Sequence, residues 1–125
     1  MKKISTVKAP QAIGPYSQAV FSGDLMFCSG QIPIDPATGE VLRSDIKSEA
    51  KRVFENIEAL LSEAGLNFSN VVKTTVLLKD INDFAAVNEV YAKCFSEPYP
   101  ARICFAVSAL PKNVNIEVEV IAERR

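Results

Sequence analysis

Ala101-Arg102-Ile103-Cys104-Phe105-Ala106-Val107-Ser108-Ala109 and, after a short break, Ile116-Glu117-Val118-Glu119-Val120-Ile121-Ala122 are the stretches that decide the fold of this chain. Side chains on a strand point alternately to opposite faces, so a period of two marks both as half-buried strands. In the first, Ile103, Phe105, Val107 and Ala109 share one face, and Arg102, Cys104, Ala106 and Ser108 share the other. In the second, Ile116, Val118, Val120 and Ala122 oppose Glu117, Glu119 and Ile121.

Upstream the pattern switches between this period and the helical one. Val71 to Leu78, rich in Val and Thr, reads as another strand. Ile46, Ala50, Val53, Ile57, Leu60 and Ala64 recur every three or four residues and form the apolar stripe of a helix. Ser44 or Asp45 can cap its start and Gly65 can end it. A second helix spans about 82–96, with Phe84, Val87, Tyr91 and Phe95 on its stripe and Asn88 at the stripe's edge. Ala19 to Ser22 and Leu25 to Ser29 read as a hairpin about Gly23-Asp24. Asp35-Pro36-Ala37-Thr38-Gly39 is a turn. The order strand, strand, helix, strand, helix, strand, strand predicts an α+β sandwich, a single mixed sheet with two helices on one face. No linker or repeat divides residues 1–125, which read as a single domain.

Two helices cover one face of such a sheet. The predicted open face carries Arg102, Cys104, Ala106, Ser108, Glu117, Glu119 and Ile121, too apolar for free solvent and too charged for a dry core. That mixture fits a partly wet interface and predicts a symmetric homo-oligomer packed sheet against sheet.

Composition narrows the chemistry. The chain has 14 basic and 15 acidic residues, a net charge of -1 and no histidine. The charge balance argues against a nucleic-acid binder. Without an imidazole the Ser-His-Asp triad, the Cys-His pair and His-bearing zinc sites are all excluded. The three cysteines, Cys28, Cys94 and Cys104, form no C-x-x-C pair, and such usage fits a reducing cytoplasm. Met1-Lys2-Lys3 imitates a signal-peptide head, but Lys8, Pro10 and Gln11 break any apolar run after it. The longest apolar run, Ile103 to Val107, is too short to cross a membrane. We therefore expect a cytoplasmic domain without a membrane segment.

Arg102 and Glu117 are the most informative pair, placed by alternation on the non-helical faces of two strands. A guanidinium offers a planar fork to a substrate carboxylate, and a glutamate can orient or deprotonate a water. A structural ion pair at an interface accounts for the same two residues. Cys104 is either a small packed residue or a nucleophile activated by Arg102, although no histidine is present to serve as its base. Tyr16, in Gly14-Pro15-Tyr16-Ser17-Gln18-Ala19, either closes a pocket or seals an edge. Ser29 and Gly30 either present backbone N–H groups to a ligand or form a bend. Asn88 is a pocket residue or a tie between helix and loop. Glu49, Lys51, Arg52, Glu55 and Glu58 read as the solvated face of the first helix.

Gly14-Pro15-Tyr16-Ser17-Gln18-Ala19, Ser29-Gly30-Gln31-Ile32-Pro33, Asp83-Phe84 with Asn88-Glu89-Val90-Tyr91, Pro100-Ala101-Arg102, Leu110-Pro111-Lys112 and Ile116-Glu117-Val118-Glu119 occur in one order. Together they resemble the reactive intermediate/imine deaminase (RidA) family from about Ala12 to Ala122. The resemblance implies a chorismate-mutase-like subunit in a homotrimer with active sites in the clefts between subunits. It implies hydrolysis of 2-imino acids such as 2-iminobutanoate and 2-iminopropanoate, arising from enamines released by pyridoxal-phosphate dehydratases, to 2-oxo acids and ammonia, with no cofactor and no metal. On this chain Arg102 would bind the substrate carboxylate. Glu117 and the Cys104 carbonyl would hold the attacking water, and Tyr16, Ser29, Gly30 and Asn88 would line the pocket. Ile103 and Ala106 depart from the family pattern in ways that bear on substrate preference, and the motif favours Glu117 over Glu119 at the water. Some relatives are described as binding proteins, so the alternative is a non-enzymatic module that takes a protein partner or small ligand at the same clefts. The presence of Arg102 favours the enzyme.

Overall fold

Gly23, at φ 60°, turns the chain between strands Ala19–Ser22 and Leu25–Cys28, which pair antiparallel as the hairpin pattern predicts. The computed structural model describes residues Met1–Arg125. A strand at Lys2–Ile4 (β1), which carries no periodicity of its own, lies against Ala19–Ser22 (β2), and Leu25–Cys28 (β3) follows. Downstream come helix Ile46–Glu63 (α1), strand Val71–Leu78 (β4), helix Phe84–Cys94 (α2), strand Ala101–Ala106 (β5) and strand Ile116–Glu123 (β6). The six strands form one mixed sheet in the order β1-β2-β3-β6-β4-β5, with β4 and β5 parallel and all other pairs antiparallel.

This order explains why both helices cover the same face. β3 and β4 run the same way because each is antiparallel to β6, which is inserted between them. The connections β3-α1-β4 and β4-α2-β5 are thus crossovers between parallel strands, and both move in the same direction across the sheet. Such crossovers share one hand, so both helices land on one side.

Helix α1 starts where the sequence places it. Asp45 accepts a hydrogen bond from the Ser48 amide at 2.9 Å, and Gly65, at φ 75°, ends the helical run. Val53, Phe54, Ile57, Leu60 and Leu61 of α1, with Val87 and Tyr91 of α2, bury against Val76, Leu78, Val118 and Val120. At roughly 1.5–3 kcal/mol per fully buried apolar side chain, these contacts fix the register of the two central strands. Glu49 is a correction: it is buried on α1, where its carboxylate accepts from the Ser44 amide at 3.1 Å and from Asn115 Nδ2 at 3.1 Å. A carboxylate with these donors can lie where helical spacing alone assigns a solvated position.

Register accounts for a bulge in β4 and for one further correction. One extra residue at Val72 forms a bulge against β6, so Val71 and Thr74, three apart, both face the core. The predicted strand to Ala109 ends at Ala106, and its faces are inverted. Directly paired residues share a face, and the core residues Thr74 and Val76 of β4 pair with Arg102 and Cys104. Arg102, Cys104 and Ala106 therefore lie on the helix side of the sheet. Ile103 (47% exposed) and Phe105 (45%) lie on the open face, with Glu117, Glu119, Ile121 and Phe27. The assumption that the more apolar set meets the helices fails because β5 is an edge strand whose register is dictated by β4.

Candidate active site

Arg102 is held from three sides on the helix face of β5. Its Nη1 donates to Asn88 Oδ1 at 2.6 Å. Its guanidinium carbon lies 4.7 Å from the centroid of the Tyr91 ring and 5.3 Å from that of Phe84. Tyr91 is fixed in turn by a 2.8 Å hydrogen bond between its hydroxyl and Thr74 Oγ1. Cation–π contact and one oriented acceptor thus set the guanidinium plane, while no carboxylate of the chain lies within 4.0 Å of it. Asn88, Tyr91, Tyr99, Pro100 and Arg102 border a cavity of about 510 Å³. Cys104 follows on the same face. Burial raises its thiol above the usual cysteine range, with Arg102 opposing, so the nucleophile alternative loses its basis in a depressed pKa.

Glu117 belongs to a second cavity of about 510 Å³, bordered also by Tyr16, Ser29, Gly30, Pro111 and Lys112. Gly30 is what lets Glu117 sit there. A methyl on Gly30 would overlap Glu117 Oε2 and stand 2.9 Å from Cδ, so the carboxylate rests directly on the glycine backbone. The neighbouring Gln31 clamps this arrangement, because its amide donates to the Val118 carbonyl at 2.8 Å and its carbonyl accepts from the Val118 amide at 3.1 Å. Burial, and then the charge of Glu119, raise the Glu117 pKa above the ordinary glutamate value. Glu119 lies one pair of residues along β6, exposed and outside the cavity wall, which separates two carboxylates that alternation alone puts on one face.

The segments that carry Tyr16 and Ser29, on either side of the β2–β3 hairpin, are held by buried amides that residue patterning passes over. Gln18 Oε1 accepts from the Thr6 amide at 2.8 Å, and Nε2 donates to the carbonyls of Thr6, Ala9 and Pro10. Ser29 Oγ donates to the Ser17 carbonyl at 2.6 Å, and Asn56 Nδ2 ties α1 to the carbonyls of Ile32 and Ile34. Only the position of Gln18, a polar residue immediately before a strand, marks it in the sequence. Tyr91 and Phe84 were legible as a helix stripe but not as the seat of Arg102.

The sequence expectation that Arg102 and Glu117 share a face is overturned. They lie on opposite faces of one sheet, each with its own cavity. Arg102 and Asn88 come together, with Cys104 next along β5. Tyr16, Ser29, Gly30 and Glu117 come together elsewhere. One chain thus carries two separate clusters of candidate residues.

Comparison with known proteins places this architecture. Residues 6–124 match the family described as endoribonuclease L-PSP. A RutC family protein of Pyrococcus abyssi is 59% identical over 119 residues, covering 95% of this chain and 94% of its own. The human 2-iminobutanoate/2-iminopropanoate deaminase is 51% identical over 119 residues, covering 95% of this chain and 87% of its own. Among solved structures, Escherichia coli TdcF with bound serine superposes with a TM-score of 0.94 at 46% identity, covering 100% of both chains. RidA from an Antarctic Psychrobacter gives 0.94 at 47% identity, covering 99% of this chain and 100% of its own. With one family matched over nearly its whole length, and relatives above half identity in sequence, the chain belongs to the endoribonuclease L-PSP family, among its RutC and RidA members.

Proposed function

We propose that the protein is a cofactor-free imine deaminase that hydrolyses 2-imino acids, 2-iminobutanoate and 2-iminopropanoate among them, to 2-oxo acids and ammonium. The observation that carries the reading is the state of Arg102: a guanidinium oriented by Asn88 and two rings, yet without a carboxylate partner in its own chain. A fork held in place and left unpaired is a receptor for a carboxylate from outside. A purely structural arginine would be expected to meet Glu117, which instead lies across the sheet.

In this reading the subunits form a homotrimer, and the Arg102 half-site of one completes the Glu117 half-site of the next. Ile103, Phe105 and Phe27, exposed on the open face of the isolated chain, supply apolar surface for that contact. The substrate enters as the protonated imine, anchored through its carboxylate by Arg102. A water held by Glu117 and the Cys104 carbonyl attacks the imine carbon, forming a C–O bond as the C=N π pair moves to nitrogen. Glu117 takes one proton from the water, and its raised pKa suits it to return that proton to the amine nitrogen. As the C–N bond breaks and the C=O bond forms, the remaining hydroxyl proton passes to Glu117 and on to the departing ammonia, which leaves as ammonium. Tyr16, Ser29 and Gly30 wall the cavity around the reacting carbon. The imine carbon is already electrophilic, so anchoring and water placement provide the catalysis, and neither a histidine nor a covalent intermediate is required.

The test is competition. Threonine dehydratase generates 2-iminobutanoate in the presence of semicarbazide, and the protein is added as wild type or as Arg102→Ala. The reading predicts that wild type diverts imine from the trap and that the variant does not, while both keep the same oligomeric state. A folded wild type that fails to divert imine would leave the binding-module alternative standing.

A further inference from the structure

Pro111 and Lys112, which border the Glu117 cavity, sit at the start of a turn with unusual backbone geometry. Lys112 and Asn113 both adopt positive φ, 54° and 56°, and they are the two non-glycine residues of the chain that do so. Side chains disfavour this left-handed region, and two such residues in succession persist only where surrounding contacts hold them. Three contacts do so here. Arg43 reaches across from the loop before α1, its Nη2 donating to the Lys112 carbonyl at 2.8 Å and its Nη1 to the Asn113 carbonyl at 3.4 Å. Lys79, just past the end of β4, donates from Nζ to Asn113 Oδ1 at 2.7 Å. Arg43 has no carboxylate partner, so the two carbonyls are its binding partners within the chain.

From this geometry we infer that Arg43 is a positioning residue of the active site: by clamping the carbonyls of Lys112 and Asn113 it holds the strained turn that forms the Pro111–Lys112 wall of the Glu117 cavity. It touches neither Glu117 nor the cavity itself, and acts through the turn. A guanidinium suits this role because its planar fork engages two adjacent carbonyls at once, which an ammonium does with less directional control. The wall shapes where substrate sits rather than how the water loses its proton, so its loss acts on binding first. The inference rests on the deaminase reading for its kinetic consequence, but the clamp itself can be observed without any reaction.

Two measurements test it on the whole 125-residue chain. The first is amide hydrogen exchange at Asn113 and Val114, whose N–H groups donate to the carbonyls of Leu110 and Pro111 within the turn. Arg43→Ala is expected to speed exchange there by about tenfold, the scale of losing a charge-assisted hydrogen bond, while the amides of β6 stay protected. Unchanged exchange in the turn would overturn the clamp, whatever the activity. The second is steady-state kinetics in the semicarbazide competition. Arg43→Ala is expected to raise KM by roughly five- to tenfold with kcat changed by less than about twofold, and Arg43→Lys to recover part of the loss. Faster exchange with unaltered KM in an active enzyme would show that the turn does not position substrate. Absence of deaminase activity in wild type would count against the proposed function and leave the exchange result to decide the clamp.

Discussion

Replacing Gly30 by alanine gives the sharpest perturbation of the proposed chemistry, because it displaces Glu117 without changing it. Gly30 does not need its glycine for backbone reasons, having no positive φ, so alanine meets no conformational penalty there. What it meets is Glu117, with Oε2 overlapping the new methyl and Cδ at 2.9 Å, where real contacts of this kind begin at about 3.0 Å. The Gln31–Val118 bridge pins both backbones, so relief comes from the Glu117 side chain, whose oxygen must retreat by roughly 1 Å. A misplacement of this size at a reacting group costs on the order of 100-fold in rate. We expect Gly30→Ala to lower kcat by about that factor in the semicarbazide competition, leaving KM nearly unchanged because Arg102 is untouched. The overpacking should cost about 1–3 kcal/mol of stability, small enough for the variant to remain folded. The double variant Gly30→Ala/Glu117→Gln should be no slower than Glu117→Gln alone, since both remove one function. Activity within a few-fold of wild type, or fully additive effects, would refute the placement of Glu117 at the water.

Other consequences come from the same contacts. Burial raises the Glu117 pKa above that of the unfolded chain, so the folded state binds the proton more tightly and stability falls as pH rises from the ordinary glutamate value through the folded one. Glu117→Gln should therefore raise Tm at pH 7 relative to wild type, have little effect on Tm below the ordinary glutamate range, and still abolish activity. Thermal melts across pH check this, and a variant less stable at pH 7 would contradict it. Asn88→Ala frees the Arg102 guanidinium on one side and should raise KM by about tenfold, the scale of one hydrogen bond to a charged group; an unchanged KM would remove Asn88 from the site. Gln18→Leu strands the Thr6 amide and the carbonyls of Thr6, Ala9 and Pro10, and chemical denaturation should show a loss of roughly 1–3 kcal/mol or more.

Much of this was legible in the sequence because the dominant forces are periodic. The stripe of α1 and the alternation of Ile116 to Ala122 specify their own buried faces, and the Asp45 cap and the Gly23 and Gly65 geometry require those residue types. The failures have a common cause, namely pairing with a distant segment. β5 carries two plausible faces, and its register with Thr74 and Val76 sends Arg102 to the helix side and Ile103 to the open one. Glu49 looks solvated by helical spacing until Asn115, 66 residues away, satisfies it. The Val72 bulge leaves no local trace. The individual candidate residues could be picked out, but their distribution over the two faces of the sheet could not, because it depends on which neighbours β4 has on either side.

The proposed chemistry requires Arg102 and Glu117 to come from different subunits, and subunit mixing decides whether they do. Arg102→Ala and Glu117→Gln are each prepared as inactive oligomers, then unfolded together in equal amounts and refolded. If each active site takes Arg102 from one subunit and Glu117 from the next, random trimers place both intact groups at about a quarter of the clefts, and roughly that fraction of wild-type activity returns. If both groups serve a site within one subunit, every subunit carries one lesion, and mixed oligomers shown to have exchanged subunits would stay inactive, which would rule out a site shared between subunits.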